Sequence, residues 1–129
     1  MKQILQDMSK GATYIAEAPS PMISRESILI ASSVSLISAG TERMLVSFGK
    51  ASMLDKARQQ PEKVKMVLEK IQADGLMTTI DAVRSKLAQP LPLGNCNVGV
   101  VVEVGSGVEG FRVGDRVVSN GPHADVVKV

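Results

Sequence analysis

The spacing of apolar and polar positions changes character twice along this chain. Residues 2–6 and 13–17 read as two short strands around a turn at Ser9-Lys10-Gly11. Ala18-Pro19-Ser20-Pro21 then interrupts the backbone, since proline fixes φ and removes a ladder donor. Residues 27–37, SILIASSVSLI, are rich in β-branched side chains and read as a longer strand that ends at Ser38-Ala39-Gly40.

From Thr41 the period becomes helical. Thr41 or a neighbour caps a short helix through about residue 48, with Glu42 in its positive first turn. Ser52 suits the cap of a helix over 53–59. Pro61 suits the first turn of another through about residue 73, and Gly75 its C-terminal stop. Val64, Val67, Leu68 and Ile71 form one apolar stripe, and Ile80, Val83 and Leu87 continue the pattern in a third helix.

Strand character resumes after Gln89-Pro90-Leu91-Pro92-Leu93. Residues 98–104 have the continuous apolar run of a strand covered on both faces, and 116–119 and 124–129 read as further strands. The last residues look like a strand in progress, so the chain is expected to be one domain of a longer protein. The overall expectation is a mainly β domain with an all-helical insertion at about 50–88, far longer than an ordinary loop.

Composition narrows the function classes. With 129 residues and 44% hydrophobic content, the chain can bury a core. Only 2% of its residues are aromatic, so a stacking platform for single-stranded nucleic acid is not expected. A net charge of +2 gives no ground for nucleic-acid or membrane binding. The helical segment 50–88 carries 8 basic and 5 acidic residues, which reads as a solvated outer face or a docking surface. A single cysteine, Cys96, excludes an intrachain disulfide and a multi-cysteine zinc cluster. Without an apolar run of spanning length or a signal-peptide core, a cytoplasmic location is expected.

The densest motif is residues 92–118, PLGNCNVGVVVEVGSGVEGFRVGDRVV. Gly105 and Gly107 suit turn conformations, and Gly114-Asp115 is a turn signal before a strand. This glycine-valine spacing resembles the N-terminal GroES-like domain of the medium-chain, alcohol-dehydrogenase-like dehydrogenases and reductases. The resemblance implies a partly open β-barrel. The helical insertion followed by QPLPLG is similar to a narrower group of bacterial proteins, in which such a unit is joined to a glucose–fructose-oxidoreductase-like module. It further implies NAD(P), bound mainly by a Rossmann domain that is not in this chain, and a small alcohol, ketone or sugar substrate. No strand–Gly-x-Gly-x-x-Gly–helix unit is present here. An exposed strand edge would favour a homodimer.

Zinc-dependent relatives carry a cysteine after the early strand and Gly-His-Glu inside the glycine pattern. The resemblance places Ala39 at the first position and Asn95-Cys96 at the others, so a zinc-free domain is expected. A carbonyl accepting hydride still develops charge on oxygen, which hydrogen-bond donors can stabilise. Thr41 resembles the family's hydroxyl near substrate and nicotinamide ribose. It is therefore a candidate for both catalysis and cofactor binding, and an N-cap role is compatible with either. Asn95 is the second catalytic candidate, with a turn-stabilising role as its alternative. Glu42 reads as a first-turn acid or surface ion pair, Cys96 as a small core residue, and His123 as a strand-edge residue rather than a general base. A noncatalytic binding or assembly module is the competing reading of the whole domain.

Overall fold

The computed structural model describes residues 1–129. The elements run β1 (Lys2–Gln6), β2 (Thr13–Glu17), β3 (Ile28–Ser35), α1 (Ala39–Lys50), α2 (Met53–Gln59), α3 (Pro61–Asp74), α4 (Leu76–Ala88), β4 (Leu91–Pro92), β5 (Asn97–Val104), β6 (Arg116–Ser119) and β7 (Val126–Lys128). One sheet has the order β2-β1-β4 and the other β6-β5-β3-β7, both open at their edges, so no closed barrel forms. By contact, the chain divides into two compact units. The first holds Met1–Leu5, Tyr14–Arg43 and Pro92–Val129; the second holds Gln6–Thr13 and Met44–Leu91.

In the first unit β3 is the hub. It pairs antiparallel with β5 along most of its length and with β7 at Leu29–Ala31. Its alternation places Ile28 and Ile30 beside Val101 in a buried cluster, with Val104, Val108 and Val117 packed against it. A groove of about 430 Å³ runs along this cluster's flank, lined mainly by Ile28, Ile30, Val108, Phe111 and Val117. The bridge Gln3↔Ala124 and the bond from Ile4 N–H to the His123 carbonyl (2.9 Å) tie the two sheets together.

Two expectations about this unit need correction. β5 is not covered on both faces: Asn97, Gly99 and Val101 are buried, whereas Val102 and Glu103 are exposed. Its partners are antiparallel strands, which leave one face open where a parallel sheet would be covered by crossover helices. Gly105 and Gly107 are not glycines for the sake of positive φ. A Cβ on Gly105 would collide with the Ser24 carbonyl oxygen, so the missing side chain admits the 24–25 backbone.

The second unit follows the helical reading closely. Ser52 caps α2, its Oγ accepting from Asp55 N–H at 3.2 Å, Pro61 opens α3, and Gly75 ends it at φ +87°. The stripe on α3 is only partly covered. Val64, Val67 and Ile71 are half-buried, Leu68 is exposed, and α3 has no fully buried residue. The unit's tightest anchors are polar. Gln6 is fully buried with its side chain bonded to the Asp7 carbonyl and Thr13 Oγ1, and Lys56 Nζ donates to the Met8 carbonyl at 2.7 Å. No helix is long and apolar enough to cross a membrane.

Candidate functional site

Three segments of the first unit converge on one imidazole. His123 lies in the bend that leads into β7 and is only 6% exposed. Its Nε2 is 3.0 Å from Glu42 Oε2, and its Nδ1 is 2.7 Å from Ser35 Oγ at the end of β3. The third segment is the turn before β5. The His123 N–H donates to the Leu93 carbonyl (2.8 Å), and Gly94 then passes so close that a Cβ would lie 2.7 Å from His123 N and 2.8 Å from its ring carbon Cγ. Gly94 also holds φ at +96°, a region that disfavours side chains.

Glu42 is held from both sides. Its Oε1 accepts from Ser38 N–H at 2.8 Å, while Glu42 N–H donates to the Ser38 carbonyl at 2.9 Å. The side-chain bond back to Ser38 and the backbone bond from Glu42 together close the first turn of α1, which begins at Ala39. Thr41 therefore stands inside the first turn, where its hydroxyl is exposed and free of any intrachain bond that a cap would require. Glu42 keeps its expected place in the first turn but is not a surface acid, being 8% exposed.

Asn95 is exposed in the turn between Gly94 and Cys96. Cys96 is half-buried and uses its carbonyl to accept from Leu36 N–H at 3.0 Å, which fastens this turn to the chain leaving β3. One residue further, Asn97 is buried opposite Ser35 in the β3–β5 register. Its Nδ2 donates to Ser32 Oγ at 2.9 Å and, more weakly, to the Pro122 carbonyl at 3.4 Å, while its buried Oδ1 has no partner.

Sequence reasoning thus named Thr41 and Asn95, which flank the cluster. It did not join Ser35, Glu42 and His123. The available signals were a lone histidine before Ala124-Asp125 and an acid one residue after Thr41. Neither specifies a pairing across 81 residues.

Of the three positions that the resemblance matches to zinc ligands, Ala39 has no ligating side-chain atom, Asn95 offers an amide and Cys96 a thiol. No group of three or more His, Cys, Asp or Glu side chains could hold a metal ion.

Comparison with known proteins places this geometry in a fold. Residues 64–126 match the family model described as "Alcohol dehydrogenase GroES-like domain". A quinone oxidoreductase from Coxiella burnetii superposes over 100% of this chain and 33% of its own, with a TM-score of 0.57 at 18% identity. The fold is GroES-like. Galactitol-1-phosphate dehydrogenase from Escherichia coli matches this GroES-like fold with a TM-score of 0.57 at 17% identity, over 100% of this chain and 36% of its own. An alcohol dehydrogenase from Thermus sp. ATN1 gives 0.58 at 14% identity, with 100% and 37% covered. The chain spans about a third of the length of these three structures. No curated sequence matches it. Within the GroES-like fold, the site described above lies at the C-terminal end of β3, where α1 begins.

Proposed function

We propose that this chain is the catalytic-side domain of a zinc-independent, NAD(P)-dependent alcohol-dehydrogenase-like oxidoreductase. The single observation that carries the reading is the GroES-like match together with structural neighbours that are dehydrogenases and reductases. The substrate is a small alcohol, ketone or sugar. The nucleotide is held mainly by a Rossmann domain elsewhere in a longer protein, of the kind fused to a glucose–fructose-oxidoreductase-like module, in a cytoplasmic setting. NAD(P)H supplies the hydride in such chemistry.

The role of this chain is to receive charge. A carbonyl oxygen becomes negative as its carbon accepts hydride, and fixed donors aimed at it lower the barrier. The Thr41 hydroxyl and the Asn95 amide N–H are the proposed donors, with Thr41 also touching the nicotinamide ribose. Both side chains are exposed, Thr41 beside Glu42 and Asn95 beside Gly94, so each extends from a backbone segment that meets His123. Zinc independence is supported by Ala39 and Asn95 at the aligned positions and by the lack of a grouped donor set.

The test is the longer protein titrated with NADH and NADPH, with metal analysis alongside. Tight binding of one nucleotide and no stoichiometric metal are the expected results. Absence of nucleotide binding would sink the oxidoreductase reading, and one tightly held zinc per chain would sink its zinc-free form.

One observation favours a second reading, a noncatalytic assembly module. The helical unit exposes Met53, Leu54, Leu68, Leu76 and Met77, a large amount of apolar side chain on helices whose faces are only partly covered.

A further inference from the structure

Ser35, His123 and Glu42 form a hydrogen-bonded chain that runs from an exposed serine to a buried acid. Ser35 is exposed, whereas the His123 and Glu42 side chains are only 6% and 11% exposed. The ring has two polar partners, Ser35 Oγ at 2.7 Å and Glu42 Oε2 at 3.0 Å, and Glu42 is the one titratable side chain on it. β3 brings Ser35, the first turn of α1 brings Glu42, and the turn before β5 meets the ring with Gly94, which has no side chain.

The chemistry of the partners fixes the protons. A carboxylate only accepts, so Nε2 carries a hydrogen towards Glu42. In the neutral ring Nδ1 is then an acceptor for the Ser35 O–H. In the imidazolium Nδ1–H donates to Ser35 Oγ, whose own hydrogen is free to point outward. Ser35 pairs with Asn97, two residues beyond Asn95, and Glu42 follows Thr41 directly in the sequence, so the segments carrying the two proposed oxyanion donors both join this chain.

We propose that Ser35–His123–Glu42 is the proton relay of this site, with Ser35 as the group that touches substrate and His123 as the proton reservoir behind it. The inference rests on the oxidoreductase reading above. In the reducing direction, hydride from the reduced nicotinamide forms the new C–H bond and the carbonyl π pair moves to oxygen. That oxygen takes the Ser35 O–H proton, Ser35 takes the Nδ1 proton of the imidazolium, and the neutral ring keeps Nε2–H on Glu42. Water restores the lost proton. Oxidation runs the same transfers backwards and starts from the neutral ring.

Two measurements test the relay. The first needs no nucleotide: ¹⁵N NMR of this chain, in which His123 is the sole histidine. At high pH the ring is expected as the Nε2–H tautomer with a hydrogen-bonded Nδ1. Ser35→Ala should move the Nδ1 resonance alone, and Glu42→Gln should mix the tautomers. An Nδ1–H tautomer, or the averaged pattern of a free imidazole, would overturn the inference whatever the longer protein does. The second is the pH profile of reduction by the longer protein. Ser35→Ala and His123→Gln should each lower kcat by roughly 10²-fold with KM nearly unchanged, and change the shape of the pH profile. Unchanged kcat and pH profile in Ser35→Ala, in a protein that still binds nucleotide and turns over, would overturn the relay and leave the oxidoreductase reading standing. Loss of nucleotide binding by the unaltered protein would fail that reading instead, and the relay as a catalytic device with it.

Discussion

Glu42 Oε2 lies 3.0 Å from His123 Nε2, with both side chains buried and the other carboxylate oxygen bonded to Ser38 N–H. One acid therefore fixes the start of α1 and the orientation of the ring. Glu42→Ala leaves a ring N–H and a backbone N–H without their acceptor, which costs on the order of 1–3 kcal/mol for an unmet buried group. Urea unfolding should show this loss. Glu62→Ala, on the exposed first turn of α3, should stay within about 0.5 kcal/mol.

Gly94 and Gly40 should respond to alanine with opposite signs. At Gly94, φ is +96° and the new Cβ would meet His123 at 2.7 Å, so Gly94→Ala should destabilise by more than about 1 kcal/mol. Gly40 lies in the first turn of α1, where an added Cβ would have nothing within 4 Å, and Gly40→Ala should stabilise by a few tenths to about 1 kcal/mol. Thermal unfolding of the two variants checks both signs; equal and small shifts would mean that the turn does not press on the ring.

Asp7 provides a pH-dependent test in the second unit. Its Oδ1 accepts from Ser9 Oγ and Ser9 N–H at 2.7 Å each and from Lys10 N–H at 2.9 Å. The Ser9 hydroxyl first, and then the Lys10 N–H, hold its carboxyl below the usual aspartate value. A depressed folded pKa stabilises above the unfolded value and loses that contribution as pH falls through the folded one. Carboxyl NMR should therefore find Asp7 titrating below the usual aspartate value. Ser9→Ala should raise it, and Asp7→Asn should reduce the acid sensitivity of the 7–11 turn.

Much of the fold was legible because its signals are local. Ser52, Pro61 and Gly75 bound α2 and α3 where their capping chemistry requires. The strand at 28–35 follows from its β-branched run. The corrections come from what local patterns omit. Thr41 is not a cap because α1 starts two residues earlier, at Ala39, with Glu42 bonding back to Ser38 N–H. β5 looked covered on both faces because continuous valine does not reveal whether its neighbours are antiparallel. The His123 cluster was illegible for a different reason. A histidine and a glutamate 81 residues apart carry no mark of each other until β3 pairs with both β5 and β7.

Thr41 and Asn95 are both exposed, so their removal should leave the fold almost untouched, within about 0.5 kcal/mol. That separates a chemical role from a structural one. The most direct measurement is steady-state reduction by the longer protein carrying Thr41→Ala or Asn95→Ala, with nucleotide affinity followed in parallel. Loss of an oxyanion donor should lower kcat by roughly 10²–10³-fold, with unfolding unchanged. Turnover equal to that of the unaltered protein in both variants, with nucleotide still bound, would contradict the proposed roles of Thr41 and Asn95.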